Sequence, residues 1–113
     1  MSDLTPEQLI DGLRETIITL VRSDDADLTS RQLGVFLIVY LTGGNPQTVR
    51  GLAAALKVSK PAITRALDRL EELNYVRRKP DPMDRRSVLM QRTAHGTAYL
   101  RQLKNVVAIA YRQ

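Results

Sequence analysis

Between Tyr75 and Gly96 two short β-prone runs flank a turn crowded with arginine and aspartate, directly behind an amphipathic helical pattern. The runs read Tyr75-Val-Arg-Arg-Lys79 and Ser87-Val-Leu-Met-Gln91, with Pro80-Asp-Pro-Met-Asp84-Arg85-Arg86 between them. Two prolines and two aspartates break the apolar pattern there, as a turn between strands requires. The arginines and the lysine in or beside the turn make a cationic tip that phosphates could meet. An isolated basic turn serves equally well to keep a surface solvated, so the residues upstream decide its meaning.

Upstream, Thr48 to Leu56 has a short helical pattern, Lys57-Val58 reads as a tight turn, and Ser59-Lys60-Pro61 opens a longer helix reaching Asn74. This is a helix-turn-helix arrangement. Ser59 suits an N-cap, because its hydroxyl accepts from an orphan backbone N–H, and Pro61 fits the first turn, where no intrahelical bond is lost. At 100° per residue, Ala62, Ile63, Ala66, Leu67, Leu70 and Leu73 gather on one arc as core. Lys60, Thr64, Arg65, Asp68, Arg69, Glu71 and Glu72 take the other. The cations stand in the first turns, and Glu71 and Glu72 lie at the far end, where phosphate would repel them. The N-terminal half of this helix therefore suits a DNA major groove. Ordinary surface pairing of Arg65, Asp68, Arg69 and Glu72 is the plainer alternative.

The helix-turn-helix, followed by Asp84-Arg85-Arg86, five residues, Arg92-Thr93, two residues and Gly96, resembles the MarR family of winged-helix transcription regulators. The family pattern is Asp-x-Arg, five residues, Leu-Thr, two residues, Gly. Asp84, Arg86, Thr93 and Gly96 match, and Arg92 stands in place of the leucine. Leu70 to Arg78 also resembles the family's passage from recognition helix into wing, and the likeness extends over roughly residues 30 to 103. It implies that Arg86, with Arg85 as a second candidate, reaches the minor groove. It also implies that Asp84 holds the wing turn through local hydrogen bonds or an ion pair. A guanidinium suits a narrow minor groove, where negative potential is concentrated. The expected DNA-facing set is Ser59, Lys60, Pro61, Thr64, Arg65, Arg69, Arg78, Arg85 and Arg86. Replacing leucine by Arg92 bears on how the end of the second strand is seated.

The distribution of charge agrees with this face. Residues 1–56 carry −3, residues 57–92 carry +5 and residues 93–113 carry +3, within a chain of net +5. Positive charge thus concentrates where the motif places DNA. No long apolar span, signal peptide or basic lipid-anchoring helix is present in the pattern, so the expectation is a cytoplasmic protein without a membrane partner. The chain has no cysteine, which excludes a thiol-oxidation switch and a cysteine-based metal site. Asp24, Asp25 and Asp27 lack the spacing of a calcium loop. His95, the lone histidine, reads as a surface or capping-region residue. No nucleophile with a base, carboxylate pair or phosphate-cradling glycine loop stands out, so neither an enzyme nor a cofactor is expected.

At 113 residues, a single winged-helix domain is expected: an N-terminal helix over 1–28, the core over 29–92 and a C-terminal helix over 93–113. The fold class is mainly α with a small β-hairpin wing. Thr5-Pro6-Glu7-Gln8 and Thr29-Ser-Arg-Gln32 carry capping-box signals for the first two helices. Leu33 to Leu41 is apolar enough to be central, Gly43-Gly44 ends that helix, and Thr93 caps the last one. Leu9, Ile10, Leu13, Ile17, Leu20 and Val21 form one terminal stripe; Tyr99, Leu100, Leu103, Val106, Val107 and Ala110 form the other. In the MarR family the terminal helices interlock into a dimer, so the resemblance implies a homodimer reading successive half-sites. It also admits a small-molecule effector, which the sequence does not identify. A winged-helix module binding an acidic protein instead of DNA is the competing reading, and salt-sensitive DNA affinity separates the two.

Overall fold

The computed structural model describes residues 3–112. Its elements are α1 (Pro6–Arg22), α2 (Ser30–Leu41), α3 (Val49–Leu56), α4 (Lys60–Glu72), β1 (Val76–Asp81), β2 (Asp84–Arg92) and α5 (Ala94–Ala110). The chain divides into two compact units, Leu28–Tyr99 and Met1–Asp27 with Leu100–Gln113. The architecture is mainly helical with one two-stranded antiparallel hairpin, as the sequence pattern predicts.

Local chemistry sets the helix boundaries in the larger unit. Thr29 and Gln32 form a reciprocal capping box at α2. The Thr48 and Ser59 hydroxyls accept from Gly51 N–H and Ala62 N–H to start α3 and α4. Lys57 ends α3 in the left-handed region at φ 56, and Val58 N–H then donates back to the Ala53 carbonyl at 3.1 Å. This makes the tight turn between the two helices. Helix α4 stops at Glu72, two residues short of the reach read from sequence, and Asn74 turns the chain into β1 at φ 61.

The arc of α4 expected to be core is buried from Ala62 to Leu70 and packs with Val35, Phe36, Leu52 and Val76. Removing a fully buried side chain such as Leu67 by substitution with alanine costs about 3 kcal/mol. Phe36, Tyr40, Tyr75 and Tyr99 form a ring cluster beside this core, with centroids 4.4 Å apart for Phe36–Tyr40 and 4.5 Å for Tyr75–Tyr99. His95 stacks on the outer side of Tyr75 at 5.4 Å. The Tyr40 hydroxyl donates to the Tyr75 carbonyl at 2.6 Å and accepts from Thr93 N–H at 3.0 Å, tying α2 to both ends of the hairpin. Gly96 sits where this junction is tightest. A β-carbon there would fall onto the Tyr40 hydroxyl and the Tyr75 carbonyl.

The hairpin is longer than its sequence suggests. Only Pro82 and Met83 lie between the strands, and Pro80 is inside β1, paired with Val88. A two-stranded sheet tolerates this because a proline needs no donor on an unpaired edge; the register then shifts between Pro80 and Asp81. Short third-strand pairing was also hidden from sequence. Met90 N–H donates to the Gln47 carbonyl at 2.9 Å, and Thr48 bridges Leu89, so the start of α3 is held directly against β2.

Strand β2 runs on to Arg92, so the departure from the family leucine does not shorten it. The Arg92 guanidinium donates to the carbonyls of Val39 and Thr42, each at 3.0 Å, at the C-terminal end of α2, and lies 5.7 Å from the Tyr40 ring centre.

In the smaller unit, Thr5 and Gln8 form the expected capping box of α1. Gly12 and Thr16 are buried, the Thr16 hydroxyl donates to the Gly12 carbonyl, and the Tyr111 ring occupies the space a β-carbon on Gly12 would need. The small-residue side of α1 is thus its packed side. Its apolar stripe is largely uncovered, with Ile10 66% exposed and Val21 60% exposed.

Candidate nucleic-acid interface

Three elements of the larger unit meet at one surface: the start of α3, the exposed arc of α4 and the hairpin. On α4, Lys60, Pro61, Thr64 and Arg65 are exposed along the first two turns, while Ser59 holds the helix start through its cap. Arg69 lies one turn further on and pairs with Glu72 at 2.7 Å.

At the hairpin tip two aspartates fold the backbone over their own carboxylates. Asp81 accepts from Met83 N–H at 2.9 Å and Asp84 from Arg86 N–H at 3.0 Å. Arg85 and Arg86, beside these closures, are exposed. The Arg86 guanidinium is 90% exposed and approaches Asp84 only to 4.0 Å.

Arg78 is placed differently from the other cations that sequence grouped with the DNA contacts. Its guanidinium turns back onto α4, donating to Glu71 from Nε at 3.0 Å and from a terminal nitrogen at 2.7 Å, and to Asp68 at 2.7 Å. Arg78 N–H also donates to Glu71, at 3.0 Å. These bonds, the backbone one first and the guanidinium next, hold the Glu71 carboxyl below its usual range. Two acids against one cation leave this patch with no surplus positive charge, so its physical effect is to strap β1 to the end of α4.

Between α4 and the hairpin runs an open groove. It is lined by Lys60 and Thr64 of α4, by Asp84, Arg86, Ser87 and Val88 of β2, and by Thr48, Val49 and Arg50 at the start of α3. Sequence reading did not single out Thr48 or Arg50 as interface residues. The available signal was an exposed cation in the first turn after a capping threonine, but the bridge that swings this turn against β2 leaves no periodic trace. Among the described residues no cluster of three or more His, Cys, Asp or Glu is placed to hold a metal, and no helix is long and apolar enough to cross a membrane.

Comparison with known proteins converges on one family. A model of the MarR family matches residues 26–87. A cysteine-to-serine mutant of MarR from E. coli is 28% identical, with 96% of this chain and 79% of that chain covered and a TM-score of 0.68. The transcriptional regulator Tm0710 from Thermotoga maritima is 24% identical at a TM-score of 0.70, covering 91% of this chain and 66% of its own. MepR from S. aureus, solved in a complex with DNA, is 19% identical at a TM-score of 0.69, covering 91% of this chain and 78% of its own. This chain therefore spans about two thirds to four fifths of the length of these structures. No curated protein matches it.

Proposed function

The chain belongs to the MarR family of transcriptional regulators, and from that premise we propose that it is a sequence-specific double-stranded DNA-binding regulator acting as a dimeric repressor in the cytoplasm. The observation that carries the reading is the joint exposure of Lys60, Thr64 and Arg65 on α4 and of Arg85 and Arg86 at the hairpin tip, within one compact unit. In this reading α4 enters the major groove by its first two turns, with Ser59 and Pro61 setting its start, and Arg69 follows along the same wall. Arg85 and Arg86 enter the neighbouring minor groove, with Asp84 shaping the turn that presents them. Arg78 is a strut between wing and recognition helix rather than a DNA contact. MepR, a protein of the same fold, is solved in a complex with DNA, which supports the DNA-binding reading.

Dimerisation is part of the proposal. Six large apolar side chains of α1, Leu9, Ile10, Leu13, Ile17, Ile18 and Val21, stand exposed in the single chain, an unfavourable arrangement unless a second copy covers them. Two recognition helices related by a twofold axis would then read half-sites one helical turn, roughly 34 Å, apart.

The test is fluorescence-anisotropy titration of the full chain with duplex from its own upstream intergenic DNA and with a scrambled duplex, at two salt concentrations, with molecular mass recorded by light scattering. Tight binding to the first duplex by a species of dimer mass is the expected result. Weak binding that disappears alike from both duplexes as salt rises would overturn sequence-specific regulation.

A further inference from the structure

We propose that the groove between α3, α4 and the hairpin holds one sugar–phosphate strand of the duplex, and that Arg50 is a phosphate contact within it. The inference rests on the DNA-binding reading and adds to it a strand path and a residue. With α4 in a major groove and the hairpin tip in the adjoining minor groove, the strand that forms the common wall of those two grooves must pass between the two elements. The surface has a depression at that place. Lys60, Arg86 and Arg50 all line it.

Three cations from three different elements therefore meet one acid, Asp84, whose carboxylate already accepts from Arg86 N–H. Arg50 is exposed and forms no ion pair among the described residues. It lies in the first turn of α3, where the helix dipole adds to its positive potential. Its position does not depend on a loose loop. The Gln47 carbonyl and Thr48 are bonded to β2, and the Thr48 hydroxyl receives Gly51 N–H at 2.9 Å, so the turn bearing Arg50 is fixed to the wing. A side chain on the backbone path orients the protein and carries no sequence information.

The experiment is an anisotropy titration of the full chain over a salt series, on its own upstream duplex and on a scrambled one. Each neutralised phosphate contributes about 0.9 to the slope of log affinity against log salt and a dimer carries two copies of Arg50, so Arg50→Ala lowers the slope by about two and weakens binding about sixty-fold at about 0.1 M salt. The factor is the same on both duplexes. Arg50→Lys restores the slope, and Arg101→Ala, a cation on α5, leaves it unchanged. Should alanine unfold the short α3, as a thermal melt would reveal, Arg50→Gln gives the same readout. An unchanged slope, or a loss confined to the upstream duplex, overturns the phosphate assignment. Failure of the wild-type chain to bind either duplex overturns the DNA-binding reading instead.

Discussion

Glu71→Gln isolates the strap between α4 and β1. The carboxylate accepts three hydrogen bonds from Arg78, at 3.0, 3.0 and 2.7 Å. Fully buried bonds of this charge-assisted kind contribute about 1.5–3 kcal/mol each, but exposed ion pairs contribute about 0–1 kcal/mol. The Arg78 and Glu71 side chains lie between these limits, 27% and 35% exposed, which places the whole strap near 2 kcal/mol. Glutamine keeps the shape but has one acceptor oxygen and turns an amide N–H₂ toward Arg78's donors. It should therefore lose most of that stabilisation, lowering Tm by about 8 °C. The pH dependence has a defined sign. Glu71's carboxyl is held below its ordinary value of 4.5 in the folded chain, so the stabilisation is fully present above that value. It is lost as pH falls through the depressed one. Thermal melts followed by circular dichroism, from neutral pH into the acid range, should show the wild type and Glu71→Gln far apart at neutrality and converging in acid. Equal melting temperatures at neutral pH, or a gap that persists unchanged in acid, would refute the reasoning.

Gly96→Ala drives a methyl into the Tyr40 hydroxyl and the Tyr75 carbonyl; an overpacking cost of about 3 kcal/mol is expected, read as a shift in denaturant midpoint with helix content retained. Leu13→Glu, on the uncovered side of α1, should convert a dimer to a monomer by light scattering without unfolding it, and an undiminished dimer mass would move the interface elsewhere. Arg65→Ala should cost about 1–3 kcal/mol per half-site on the upstream duplex and much less on the scrambled one if that side chain reads a base; an equal loss on both duplexes would make it a phosphate contact.

Much of the helix-turn-helix was legible because its signals are local. Ser59 with Pro61, and Thr29 with Gln32, announce helix starts within a single turn, and the buried arc of α4 follows from its 3.6-residue period. Features that depend on distant residues were not legible. Arg78 reads as one more basic residue beside the wing until the hairpin folds back and sets it against Asp68 and Glu71, ten and seven positions away. Gly96 is visible as part of a spacing pattern, yet its cause is a tyrosine from α2 that no spacing reveals. The apolar stripe of α1 is plain in its sequence, but its packed side is the one bearing Gly12 and Thr16, where Tyr111 from the other end of the chain takes the place of a β-carbon. Arg50 escaped notice because a one-residue bridge, not a strand, carries it to the groove.

The two bonds from Arg92 to the end of α2 have a mechanical consequence. Leucine at this position would give a contact that slides, since apolar packing has no preferred direction. A guanidinium gripping two carbonyls resists rotation, because any swing of the hairpin base misaligns both bonds together. The root of the wing is therefore held on three sides, against α2 by Arg92, against α3 by Gln47 and Thr48 and against α4 by Arg78. The irregular pairing at Pro80 and Asp81 lies beyond all three ties, so the arginine-bearing tip can adjust to a groove without disturbing the hairpin base.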